Sequence, residues 1–181
     1  MSRIGKKPVP ILSGVLVTIN GHSVSMKGAK GSIARDFTPD VKIARENDLL
    51  ICTVPENSSK VVRSKFGLVR SLLANMMTGV TRGYTRQLEI VGLGYKAKVD
   101  GPKVVFTVGY SHSVAFESPK GVSVKIEGVN KIVVSGIDKE KVGQVAADIR
   151  AIKPPEHYNA GKGIRYVGEK VRIKEGKKLA A

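Results

Sequence analysis

The sequence predicts an α+β protein of two similar domains, each an antiparallel β-sheet packed against an α-helix, with a basic C-terminal tail. Three observations predict it. Short runs of alternating apolar and polar residues, separated by turn residues, recur along the chain with the period of half-buried strands. Twice that period gives way to a helical one. The strand pair plus helix at 41–77 also returns at 122–153, shifted by about eighty residues with slight identity. The boundaries read as 1–82 for the first domain, 83–153 for the second and 154–181 for the tail.

In chain order, Val15–Ile19 and Ser23–Lys27 alternate on either side of Asn20-Gly21, the pair that favours a tight hairpin turn with positive φ. Strands follow at 32–37, 41–45 and 49–54. Val62, Phe66, Val69, Leu73 and Met76 then form one helical stripe, with Asn57, Ser58 or Ser59 to cap its start and Gly79 just past its end. In the second half, strands are expected at 88–91, 95–99, 104–108, 113–116, 122–126 and 131–135. Asp138 caps a helix with the stripe Val142, Val145, Ala146, Ile149 and Ile152, and Pro154-Pro155 stops it. Every expected strand and helix precedes residue 153, so truncation after Ile152 is expected to leave a protein that folds.

Composition narrows the function. The chain has 181 residues, of which 41% are hydrophobic, enough for a packed core. No apolar run approaches the roughly 20 residues of a membrane-spanning helix. The start, Met1-Ser-Arg-Ile-Gly-Lys-Lys-Pro8, lacks a signal-peptide core, so export is not expected. Cys52 is the single cysteine, which excludes an internal disulfide and a structural zinc cluster. Against 15 Asp and Glu stand 31 Lys and Arg, a formal charge of +16. Such an excess implies a polyanionic partner, and both halves carry it, with net charges of +9 over 1–88 and +7 over 89–181.

Few residues suggest catalysis. Gly92-Leu-Gly94-Tyr-Lys-Ala97 fits a dinucleotide fingerprint, the one feature favouring a nucleotide-dependent enzyme. That motif needs a helix to follow, and Tyr95, Ala97 and Val99 alternate with lysines as in a strand. His22, His112 and His157 show no metal-ligand spacing. No catalytic residue, cofactor, metal, membrane or small-molecule substrate is expected.

Two basic stretches stand out. Residues 57–88 hold Lys60, Arg63, Lys65, Arg70, Arg82 and Arg86 without Asp or Glu. Arg63, Gly67, Arg70 and Ala74 share the helix face opposite the apolar stripe, either a solvated face or a contact for RNA or protein. The second stretch supplies Lys153, Lys162, Arg165, Lys170, Arg172, Lys174, Lys177 and Lys178. There Gly161 and Gly163 would let backbone amides approach phosphate, while Tyr158 and Tyr166 would stack on exposed bases. A disordered basic tail is the competing reading. The many Pro and Gly residues argue against a membrane-surface helix.

The segment Pro155-Glu-His-Tyr-Asn-Ala-Gly-Lys-Gly-Ile-Arg-Tyr166, with Glu169-Lys-Val-Arg172 and Lys174-Glu-Gly-Lys177, resembles the C-terminal signature of bacterial-type ribosomal protein number six of the large subunit. Met1–Pro8, Gly14-Val15 and Gly92–Ala97 are also similar to that family, and the likeness spans essentially the whole chain. The resemblance implies a non-catalytic protein of cytoplasmic ribosomes. It would bind large-subunit rRNA near the sarcin–ricin region, beside other ribosomal proteins and where translation factors dock. Tyr158, Gly161, Lys162, Gly163, Arg165, Tyr166 and Arg172 match signature positions. His157 stands where the family commonly has proline, and Asn159-Ala160 replaces one lysine, whose phosphate contact His157 would supply only if protonated or through a neutral hydrogen bond. The alternative is a free-standing RNA-binding or RNA-chaperone protein with the same surface.

Overall fold

The computed structural model describes residues 2–174 except 56, 102, 129, 159 and 160. They form two compact units. One runs up to Tyr84 and also takes in Ile137–Lys139; the other comprises Thr85–Gly136 and the residues from Glu140 on.

The first unit contains β1 (Val9–Pro10), β2 (Leu16–Asn20), β3 (Ser23–Gly28), β4 (Gly31–Asp36), β5 (Lys42–Glu46), β6 (Leu49–Thr53) and α1 (Lys60–Thr81). These strands make two three-stranded antiparallel sheets, ordered β2-β3-β4 and β1-β6-β5. The period-two pattern puts Val24 and Met26 of β3 and Leu50 and Cys52 of β6 in the core. The helical stripe Phe66, Val69, Leu73, Met76 and Met77 closes over both sheets. Burial pushes the Cys52 thiol pKa up, as befits a small core residue.

Local chemistry refines the expected turns. Asn20 pairs with Ser23, so the hairpin loop is Gly21-His22, one residue later than Asn20-Gly21. Only its first residue has positive φ, the type II′ requirement. Ser59 is the residue that caps α1, its Oγ accepting from the Val62 N–H. Gly79 does not end the helix. It is buried inside α1, where a Cβ would lie 2.1 Å from the Ile137 carbonyl oxygen. Gly83, at φ 76°, follows the helix and donates to Gly79 O at 3.1 Å.

The second unit is built from β7 (Tyr84–Val91), β8 (Lys96–Asp100), β9 (Lys103–Thr107), β10 (Val114–Glu117), β11 (Val122–Glu127), β12 (Lys131–Gly136), α2 (Lys139–Ile152) and β13 (Gly163–Tyr166). One sheet is ordered β10-β9-β8 and the other β11-β12-β7-β13. Val142, Val145, Ala146 and Ile149 are the buried face of α2. Leu88, Ile90, Phe106, Ile132, Val134 and Ile164 are buried on the strands.

Strand β13 overturns one expectation. It lies beyond Pro154-Pro155 in the stretch expected to carry no element, yet it pairs antiparallel with β7, with Ile164 opposite Ile90. Ile164 is fully buried. A chain ending at Ile152 would lose an edge strand and a core side chain, so truncation there removes part of the fold. Its four residues, two of them outside any apolar alternation, give too short a pattern for the period to register.

Candidate nucleic-acid interface

After α2, Pro154 and Pro155 have no N–H to continue the helix, and the chain turns back on itself. Three backbone bonds close the return. Ile164 N–H donates to Lys153 O at 2.7 Å, Glu156 N–H to Lys162 O at 2.9 Å, and Gly161 N–H to Tyr158 O at 3.1 Å. Tyr158 stands near the tip, 52% exposed. Asn159 and Ala160 lie outside the described residues.

A second strand of chain is laid beside this loop. Lys174 N–H donates to His157 O at 2.7 Å, and His157 Nδ1 lies 3.1 Å from Arg172 O. A carbonyl only accepts, so Nδ1 is the protonated, donating nitrogen. His157 thus spends one ring nitrogen on a backbone clasp instead of on a ligand. The clasp holds the exposed Lys170, Arg172 and Lys174 close to the loop.

The remaining signature residues build the scaffold. Arg165 Nε donates to Glu89 Oε1 at 2.5 Å across the β13–β7 pair. Arg150 grips Glu169 with both arms, at 2.6 and 3.0 Å, and stacks its guanidinium over the Tyr166 ring at 5.9 Å. Hydrogen bonds from Arg150 hold the Glu169 carboxyl below the usual carboxylate range, and Glu169 raises Arg150 in return. Glu169 also accepts from Tyr166 N–H at 2.9 Å. The outward amides of Ile164 and Tyr166 are therefore both satisfied, so β13 offers no free edge at these positions. Lys153 pairs with Glu156 at 3.1 Å, a hydrogen bond that raises its pKa.

The glycines also differ from expectation. The Gly161 amide is used within the loop, and a Cβ on Gly163, at φ 142°, would lie 2.6 Å from Pro154 O. Gly163 is needed for close packing of protein on protein. Of the twelve candidate residues, Tyr158, Lys162, Lys170, Arg172 and Lys174 are left to face a ligand. Lys153, Gly161, Gly163, Arg165 and Tyr166 hold the segment in shape, and Lys177 and Lys178 lie outside the described residues.

Two basic residues of α1 are engaged by their own unit. Arg70 donates to Lys7 O at 3.1 Å and Pro8 O at 3.4 Å, Lys65 pairs with Asp40 at 2.7 Å, and a Cβ on Gly67 would meet Ser2. Gly92 and Gly94 form a turn that leads into β8, a strand, so no helix N-terminus faces a phosphate there. Among the described residues no cluster of His, Cys, Asp and Glu could hold a metal, and no helix is long and apolar enough to cross a membrane.

Sequence reasoning missed the loop Gly109-Tyr-Ser-His112, which is exposed and bonded to the end of α2. Its mixture of glycine, tyrosine and histidine was the available signal. It also missed a cleft of about 420 Å³ whose walls include Pro154, His157, Val171 and Arg172.

Comparison with known proteins agrees with the two-part architecture. The family model described as ribosomal protein L6 matches residues 11–83 and again 91–167. The chain is 53% identical over 179 residues to large ribosomal subunit protein uL6 of Dehalococcoides mccartyi strain CBDB1, covering 99% of this chain and 97% of the relative. It is 51% identical over 177 residues to the uL6 protein of Geobacillus stearothermophilus, covering 98% of each. With the uL6 protein of Acaryochloris marina it shares 49% identity over 177 residues, again covering 98% of each.

Proposed function

The chain belongs to the ribosomal protein L6 family, a family of ribosomal proteins rather than enzymes, and on that premise we propose that it binds large-subunit rRNA as a fixed constituent of the subunit. The observation that carries this reading is similarity to large-subunit relatives over nearly the full length, joined to a basic segment with an exposed tyrosine. Lys162, Lys170, Arg172 and Lys174 supply phosphate contacts, while Tyr158 stacks on an unpaired base. Lys153, Gly161, Gly163, Arg165 and Tyr166 shape the segment, and Lys177 and Lys178 extend its charge.

Within the particle the protein lies near the sarcin–ricin region, where translation factors dock, beside neighbouring ribosomal proteins. Its working parts are the first domain over 1–82, the second over 83–153 with its sheet completed by β13, and the basic segment 154–181 that carries β13. It acts in cytoplasmic ribosomes. Sedimentation of a lysate through a sucrose gradient tests the reading. The protein should peak with large subunits and stay there in moderate salt; a peak at the top of the gradient fits a free-standing RNA-binding protein instead.

A further inference from the structure

We propose that Tyr110 and His112, on the loop between β9 and β10, form a second stacking platform for an unpaired rRNA base, a proposal that rests on the rRNA-binding reading above. The two rings are near parallel, 17° apart with centroids separated by 6.2 Å. Residues 109–113 are all exposed, and Tyr110 keeps 43% of its surface in solvent. Neither ring belongs to the core.

The loop is nonetheless held in place. Tyr110 Oη donates to Ile152 O at 2.9 Å, taking one of the orphan carbonyls at the end of α2. Gly109, at φ 77°, packs against Tyr95, whose Oη would lie 2.7 Å from a Cβ there. The Thr107 and Ser113 hydroxyls meet at 3.3 Å across the loop base. An exposed aromatic pair ordered in advance gives up little entropy when a flat ligand settles on it.

Charge selects the ligand. Lys153 Nζ sits 5.2 Å from the Tyr110 ring centroid, and Lys153 also begins the loop that carries Tyr158 and Lys162. Gly163 pairs with Val91, so Lys162 and the Gly92–Gly94 turn leave the sheet from the same end. Lys96 opens β8 immediately beyond that turn. Lys153 is held by Glu156, whereas Lys96 lies opposite Thr107 at the loop base, so an unpaired base on these rings would set its phosphates toward Lys96 and Lys162.

Tyr110 also caps α2, so its loss alone would not separate binding from folding. His112 has no such bond, which makes it the discriminating position. The test measures binding of the full chain and its variants to a transcript of the large-subunit rRNA across a salt series, with melting temperatures for each protein. His112→Ala should keep its melting temperature and bind about tenfold more weakly, with an unchanged slope of log affinity against log salt. Tyr110→Phe should melt lower and bind more weakly than the parent but better than Tyr110→Ala, since the ring remains while its anchor on Ile152 O is lost. Tyr110→Ala should lose both. If His112→Ala and Tyr110→Phe both bind and sediment like the parent while Tyr110→Ala only melts lower, the loop is a helix cap and the proposal fails. If the parent protein does not bind the transcript, the rRNA-binding reading falls first and the platform with it.

Discussion

Replacing Ile164 by Ala isolates the claim that the basic segment is part of the second unit's fold. Ile164 has no exposed surface and faces Ile90 across the β13–β7 pair, where Leu88 and Ile90 are buried as well. Truncating a fully buried isoleucine removes transfer free energy and leaves a cavity, typically costing about 2–5 kcal/mol together. At the lower end the ratio of folded to unfolded protein falls by roughly thirtyfold, since each 1.4 kcal/mol is a factor of ten. Urea unfolding followed by circular dichroism measures it, with the midpoint falling while the slope stays fixed. Ile173→Ala is the control, because Ile173 is 52% exposed on the same segment and should change stability by no more than about 0.5 kcal/mol. An Ile164→Ala protein as stable as the control would refute the reasoning. The segment would then be a tail resting on the unit without supporting it.

Lys162→Ala should weaken rRNA binding and flatten the salt slope by about 0.7–0.9, one phosphate contact. Arg165→Ala should instead leave the slope alone and cost about 1–2 kcal/mol of stability by stranding half-buried Glu89, read by the same urea titration. Gly163→Ala should destabilise the protein without changing the slope, because its Cβ would strike the Pro154 backbone at a φ that side chains avoid. Glu169 has a depressed pKa when folded, so its contribution is fully present above the ordinary Glu range and disappears as pH falls through the folded value. The stability gap between the parent and Glu169→Gln should therefore be constant near neutral pH and close on acidification; a gap that widened in acid would contradict the assignment.

Most of the architecture was legible because two periods were clean. The stripe Phe66, Val69, Leu73 and Met76 and the stripe Val142, Val145, Ala146 and Ile149 are buried faces of the two helices. Strand alternation placed Val24, Leu50 and Val134 in the core. What failed was local. Gly79 looked like a helix stop because glycine is usual there, but tertiary contact with Ile137 requires it inside α1. Strand β13 is too short to show a period, and its pairing with β7 joins residues more than seventy apart. Charge composition located the basic segment but could not divide it. Arg165 and Lys162 look alike in sequence, and only the position of Glu89 across the sheet shows that Arg165 is occupied. The loop at 109–112 escaped because Lys153, which lies over the Tyr110 ring, is far away in sequence.

Ultraviolet crosslinking within intact large subunits, followed by mapping of the crosslinked peptides, tests the central claim most directly. Crosslinks should fall within residues 153–174, with Tyr158 as the principal site because its ring is exposed, and with a second set on the Tyr110–His112 loop. Crosslinks confined to residues 2–84, or subunits from which this protein is absent, would contradict the account.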